Sequence, residues 1–231
     1  MTEYLKIGQA PAIVYGEPSE RAFLFVHGLC GNKEEGERFA ALVNPKGWQV
    51  LAVDLPEHNG RQDGVRLVPW EAVPELEKIR DYAKSRWQRL GTRAISLGAW
   101  LTLQAFAGEN VEQCLLSSPL VDMEEMIHGM MEQAGVSVER LQAEGEIPVP
   151  GGQTLSWRYL CWAREHPTPI ISKKTAVLYG SQDEMIPRRT VDEYCRRASA
   201  SLTVMDGAVH WFHTEEQRAF MENWEEEQLK K

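Results

Sequence analysis

Positive charge is in short supply. Lys and Arg number 25 against 34 Asp and Glu, a formal net charge of -9 at pH 7. Nucleic acid and anionic membrane surfaces attract clustered Lys and Arg, so neither is expected as a partner. Long hydrophobic runs are missing too. The longest, AISLGAWLTLQAFAG, is interrupted by Ser, Thr and Gln and falls short of the roughly 20 residues that a membrane helix needs. The first residues, MTEYLKIGQAPAIVYG, carry an acidic residue at position 3 and no basic segment leading into an apolar one, unlike a secretory signal. A soluble, cytoplasmic protein is expected. Cysteines are few and scattered: Cys30, Cys114, Cys161 and Cys195 form no C-x-x-C pair, and their apolar settings read as buried free thiols. There is no H-E-x-x-H, no clustering of His with Cys or carboxylates, and no G-x-G-x-x-G. The expectation is chemistry without metal, nucleotide or other cofactor.

What is present is enough apolar material for a large core, 43% of 231 residues, and α/β folds of this length commonly form one domain. A single domain over 1–231 is expected. Short runs rich in β-branched and apolar residues read as strands: EYLKI, AIVYG, AFLFVH, WQVLAVD, TRAIS, QCLLSS, TAVLYG and SLTVMD. Between them lie segments of helical period, KEEGERFAALV, PELEKIRDYAKSRWQRL, LGAWLTLQAFAG, RRTVDEYCRRAS and TEEQRAFMENWEEEQLKK. This alternation predicts a mostly parallel eight-stranded sheet flanked by helices, with the first two strands, joined through GQAP, as an antiparallel hairpin at one edge. Pro74 suits a first helical turn, and the charged last helix reads as a solvated face. From about Leu120 to Ile170 the alternation breaks for about 50 residues, too long for an ordinary crossover loop. It reads as a small helical cap inserted after the sixth strand.

Four short stretches carry chemistry. In RAISLGAW, Ser96 stands between strand and helix with Ala94 and Gly98 two positions away on either side. A serine there is either a helix N-cap or a nucleophile on a strained turn, which needs small residues at both places. In FVHGLCGNKEE, His27, Gly28 and Gly31 form H-G-x-x-G, a tight loop whose free backbone N–H groups can hold an anion; a plain glycine turn with a structural His is the alternative. LYGSQDEMIP puts Asp183 just past a strand, and MDGAVHWFH puts His210 between the last strand and the last helix.

Ser, then acid, then His, each after a different strand, is the order found in α/β-hydrolases. Through these four motifs nearly the whole chain resembles a compact bacterial α/β-hydrolase of the serine esterase and lipase type, with Ala94 departing from the usual glycine. VDLPEHNGR also resembles the family's loop after the next strand, where His58 would be structural. The resemblance implies Ser96 as nucleophile, His210 as general base and Asp183 as orienting acid. It also implies an oxyanion hole made by the N–H groups of Leu29 and Leu97. Asp122, after the preceding strand, competes with Asp183, whose loop ends in I-P as the family's usually does. His213 competes with His210 but precedes TEEQ, a helix start.

In the cap, Met123, Met126, Ile127, Met130, Met131 and Ala134 recur at helical spacing. Such a stripe is usually core. Alternatively Met126 and Met130, with Tyr159 and Trp162 of the next helix and Trp211 beside the base, line a substrate pocket, where Arg158 or Arg164 could bind a carboxylate. The expected activity is hydrolysis of a carboxylic ester of a small, apolar molecule through an acyl-enzyme on Ser96. An acyltransferase or thioesterase with the same residues, or a catalytically silent binding protein of this fold, are the alternatives. Arg93, a charge in a central parallel strand, has no explanation at this level.

Overall fold

The computed structural model describes residues 1–150 and 152–230. The chain divides into two compact units, Met1–Val121 with Pro169–Lys231, and Asp122–Thr168. Its strands are β1 (Thr2–Ile7), β2 (Ala10–Tyr15), β3 (Arg21–Val26), β4 (Gln49–Val53), β5 (Arg89–Ile95), β6 (Gln113–Ser117), β7 (Glu146–Pro148), β8 (Thr154–Ser156), β9 (Thr175–Gly180) and β10 (Ser201–Met205). Its helices are α1 (Gly36–Val43), α2 (Pro69–Arg86), α3 (Ser96–Ala105), α4 (Met123–Ala134), α5 (Val138–Glu144), α6 (Trp157–Glu165), α7 (Arg188–Ala198) and α8 (Glu215–Gln228).

The first unit is built on an eight-stranded sheet in the order β1-β2-β4-β3-β5-β6-β9-β10. The hairpin β1–β2 is antiparallel, β2 runs antiparallel to β4, and every later pairing is parallel. Every residue of β4 and all but the first of β3 are buried, as expected of parallel strands covered on both faces. Edge strand β1 buries only Ile7. On one face Phe23, Phe25, Val50, Ala52 and Leu115 join Phe39 and Val43 of α1 and Trp224 of α8 in one cluster. Helices α2 and α3 pack on each other, α2 burying Leu76, Ile79 and Ala83, and α3 is buried along nearly its whole length.

Several local expectations are corrected. Helix α2 starts at Pro69, five residues before Pro74, and Pro69 takes the first-turn role. Pro74 lies inside the helix, where its missing N–H forfeits one backbone bond. The helix stops at Arg86 because Trp87 turns extended and is buried, its indole N–H donating to Gln49 Oε1 at 2.8 Å; β5 therefore begins at Arg89. Cys114 and Cys195 are buried, but Cys161 is half-buried and Cys30 exposed, the latter in a left-handed turn (φ +66) of the loop after β3. Helix α8 is not merely a solvated face: Gln217, Trp224, Glu225 and Gln228 are buried.

The second unit is richer than two helices. Asp122 caps α4 by accepting the Glu125 N–H at 2.9 Å, and Gly135 ends the helix at φ +63. Ser137 and Ser156 cap α5 and α6 in the same manner. The acidic, proline-rich passage holds a small antiparallel pair, β7 with β8, in which Ile147 faces Leu155 and both are buried. Along α4 the buried stripe is Met123, Ile127 and Met131, with Met126 and Met130 half-buried beside it.

Candidate active site

Ser96 follows directly on β5 and opens α3 with φ +48, a left-handed backbone that a residue with a side chain adopts only when its surroundings impose it. Gly98 is part of what imposes it. A Cβ there would lie 2.1 Å from the carbonyl oxygen of His27, so the first turn of α3 rests directly on the end of β3. Gly28 is close but less constrained, its Cβ position 3.3 Å from Ser96 Cβ. Ala94 is fully buried between Val26 and Leu116 on the neighbouring strands, so its extra methyl fits. The helix N-cap position belongs to Ile95, which makes no side-chain capping bond, and the Ser96 hydroxyl points elsewhere.

It points to His210. Ser96 Oγ lies 2.8 Å from His210 Nε2, and His210 Nδ1 lies 2.7 Å from Asp183 Oδ2. The second Asp183 oxygen accepts the N–H groups of Met185 and Ile186 at 2.9 and 3.0 Å, which fixes the carboxylate with its free edge toward the ring. An acceptor at Nδ1 places the ring proton there and leaves Nε2 to accept from the serine hydroxyl. Asp122 caps α4 instead. His213 is exposed at the entrance to α8, its N–H donating to Gln217 Oε1 at 3.0 Å.

The H-G-x-x-G loop is pinned by two histidines. His27 Nε2 accepts the Leu55 N–H at 3.0 Å, so Nδ1 carries the proton and donates to the Gly28 carbonyl at 2.7 Å. Burial pulls the His27 pKa down to about 4. His58 accepts the Cys30 N–H on Nε2 at 3.1 Å and donates from Nδ1 to the Pro56 carbonyl at 2.8 Å. Both rings thus brace the loop after β3 against the loop after β4. Between them the Leu29 N–H stays without a protein acceptor among the described residues, as does that of Leu97 in the first turn of α3.

These groups open on a cavity of about 560 Å³ whose wall combines apolar Leu29, Phe25, Phe39, Ile95, Trp211 and Met221 with Ser96, His210 and the charged side chains of Glu35, Arg38, Arg93 and Glu225. Trp211 is 54% exposed and stands edge-on to the His210 ring, centroids 5.0 Å apart. Met126, Met130, Tyr159 and Trp162 belong to the second unit, where Trp162 stacks on His166 at 3.9 Å. Arg164 is engaged within that unit by Glu124 at 2.8 Å. Among the described residues no three His, Cys, Asp or Glu side chains are grouped to hold a metal ion, and no helix is long and apolar enough to cross a membrane.

No protein-family description and no curated protein matches the sequence. Solved structures do. Est1E from Butyrivibrio proteoclasticus, with ferulic acid bound, superposes with a TM-score of 0.71 at 18% identity, over 99% of this chain and 100% of its own. The alpha/beta hydrolase domain-containing protein 10 from mouse gives 0.77 at 13%, over 100% and 98%. The chain has the α/β-hydrolase fold. A thioesterase domain from the curacin biosynthetic pathway shares this fold, with a TM-score of 0.61 at 14% identity over 97% and 98% of the two chains.

Within this fold three groups escape a reading of the sequence. Ser118, at φ +42, donates its hydroxyl to the His210 carbonyl at 2.7 Å and its N–H to the Leu178 carbonyl at 2.8 Å; the double serine closing QCLLSS is its only trace. Gly180 must be glycine, since a Cβ there would meet the Ala208 carbonyl oxygen at 2.4 Å, which keeps the loops bearing Asp183 and His210 in contact. The third is the partner of Arg93. Its Nε bonds Glu225 Oε1 at 2.6 Å, with both side chains almost wholly buried.

Proposed function

We propose that this protein is a serine hydrolase that cleaves a carboxylic ester of a small, apolar substrate through an acyl-enzyme on Ser96. The reading rests on one observation, the unbroken line of hydrogen bonds from Ser96 Oγ through the His210 ring to Asp183, at 2.8 and 2.7 Å. A serine hydroxyl is a poor nucleophile until a base takes its proton, and the imidazolium so formed needs a carboxylate to hold its tautomer and offset its charge. In the first half-reaction Ser96 Oγ attacks the ester carbonyl while His210 Nε2 takes the hydroxyl proton. The carbonyl oxygen gains the negative charge and meets the N–H groups of Leu29 and Leu97, which have no competing acceptor. Collapse of the tetrahedral adduct breaks the C–O bond to the alcohol, which leaves with the proton from His210. Water then repeats the sequence on the acyl-enzyme and releases the acid.

Trp211, exposed beside the base, and the apolar side chains of Phe25, Phe39, Ile95 and Met221 on the cavity wall support a substrate with an apolar or aromatic portion. The likeness to a thioesterase domain favours one second reading, cleavage of a thioester by the same groups. The decisive test is turnover of aryl esters of graded acyl length by the wild type and by Ser96→Ala. The variant should lose several orders of magnitude, as a well-studied protease lost roughly a million-fold on removal of its nucleophile. If Ser96→Ala keeps most of the activity, the assignment is wrong. A faster reaction with acyl thioesters than with the matched oxygen esters would favour the second reading.

A further inference from the structure

Arg93 sits in β5, one of the middle strands of the sheet, with its neighbours Phe25 on β3 and Leu115 on β6 in register. It is 1% exposed. Helix α8 closes on it with three side chains of one helical face, Met221, Trp224 and Glu225. Met221 Sδ lies 3.2 Å from Nη2, the Trp224 ring centroid 5.9 Å from the guanidinium carbon, and Glu225 Oε1 2.6 Å from Nε. On the other side Nη1 donates to Ser117 Oγ at 3.0 Å and to the Ala94 carbonyl at 3.1 Å. A buried ion pair of this kind adds little stability over apolar residues of the same volume, but its donors and acceptors accept one geometry only. A spacing of three and four residues on α8 makes that geometry a statement about the helix: it fixes both its rotation and its advance along the sheet.

What that register controls is the base. Helix α8 begins at Thr214 with a capping box to Gln217, whose side chain also holds the His213 N–H, so the start of the helix sets where the chain bearing His210 enters. The second hold on that chain is the Ser118 hydroxyl on the His210 carbonyl, and Ser118 follows directly on Ser117, the residue that Arg93 grips. Three residues beyond Arg93, where its strand gives way to α3, is Ser96. One guanidinium therefore touches all three segments whose mutual placement decides the distance between Ser96 Oγ and His210 Nε2.

We propose that Arg93 and Glu225 are positioning residues for His210, holding α8 and the end of β6 in the one register that brings the base onto Ser96. This rests on the reading of Ser96 and His210 given above. Both side chains border the cavity while almost wholly buried; acting through the histidine, their loss should lower kcat by a larger factor than it changes KM.

The experiment replaces both charges at once, Arg93→Met with Glu225→Leu, so that no lone charge stays buried, and adds Glu225→Gln alone, which keeps the shape and loses the charge. Aryl ester kinetics, fluorophosphonate labelling of Ser96 and the downfield proton resonance of His210 Nδ1–H are compared with wild type, and Ser96→Ala runs alongside. A misplacement approaching 1 Å costs up to about a hundredfold. The double variant should therefore fold, lose about tenfold to a hundredfold in kcat with a smaller change in KM, label more slowly in proportion, and show a broadened or missing Nδ1 resonance. Glu225→Gln should shift the same readouts in the same direction by less. A folded double variant with wild-type kcat and a sharp resonance overturns the proposal. If the double variant does not fold, wild-type kcat and an unchanged resonance in Glu225→Gln overturn it. Retention of activity by Ser96→Ala is a separate result, which would sink the hydrolase reading whatever the pair does.

Discussion

Replacing Gly98 with alanine adds one methyl group at the closest backbone contact of the site. Its carbon would stand 2.1 Å from the His27 carbonyl oxygen and 2.9 Å from that of Val26, where ordinary contact begins at 3.4 Å. Both obstacles are backbone at the end of β3 and cannot rotate away, so the first turn of α3 and the strand must separate by more than about 1 Å. Forcing a methyl into so tight a place costs about 1–3 kcal/mol, or a fall in Tm of about 2–4 °C for each kcal/mol in a chain of this size. The chemical effect should be larger. The same turn carries Ser96 and the Leu97 N–H, and the displaced strand leads into Leu29, so nucleophile and oxyanion donors lose alignment together, an error worth about a hundredfold in kcat for 1 Å. Gly129→Ala is the control, because its Cβ would have nothing within 4 Å and lies within α4, where alanine should stabilise by about 0.5–1 kcal/mol. Aryl ester turnover and thermal unfolding of both variants decide the matter. Wild-type kcat and Tm in Gly98→Ala would refute the account of the turn.

The remaining predictions concern protonation and the choice of acid. Because the buried His27 titrates near 4 when folded, against 6.5 in its ordinary state, the unfolded chain binds the extra proton between those values. Stability should then be complete above about pH 6.5 and fall on acidification by roughly 3 kcal/mol in all by pH 4. Urea unfolding across that range should show the slope in wild type and a shallower one in His27→Gln, which cannot take up the proton. Asp183→Asn should drop kcat by about four orders of magnitude through the wrong ring tautomer. Asp122→Ala should cost only about 1 kcal/mol of stability, as loss of a helix N-cap does, with turnover intact; the opposite pattern in ester hydrolysis assays would transfer the acid's role to Asp122.

The sheet was largely legible because its strands are buried on both faces, so that AFLFV, WQVLAV and TAVLYG stand out as continuous apolar runs. The small pair in the second unit was not. At three residues each, β7 and β8 are too short for any period to register, and their proline and glycine neighbours read as loop. The buried carboxylate of α8 was hidden differently. Glu225 begins a run of three glutamates, which reads as a solvated surface, and only the packing of Trp224 decides which of them turns inward. Its partner is 132 residues away in the chain, beyond any local pattern. Burial raises the Glu225 pKa while the Arg93 guanidinium draws it back, a balance that exists only once the two meet.

Ser96 and His210 are themselves 114 residues apart, yet they could be picked out in the sequence, and strand order explains the difference. Each follows a parallel strand of one sheet, and loops at the carboxyl ends of such strands gather on one rim. Loop position after a strand is a local signal even when the contact is not. Between β5, which leads to Ser96, and β9, which leads to Asp183, the sheet contains β6 alone. The end of β6 lies between them, and there Ser117 accepts from Arg93 of the nucleophile strand while Ser118 donates to the His210 carbonyl. Alanine at Ser118 would leave the His210 carbonyl without its hydroxyl donor, and the serine hydroxyl is the smallest side chain that can supply one in a place 1% exposed.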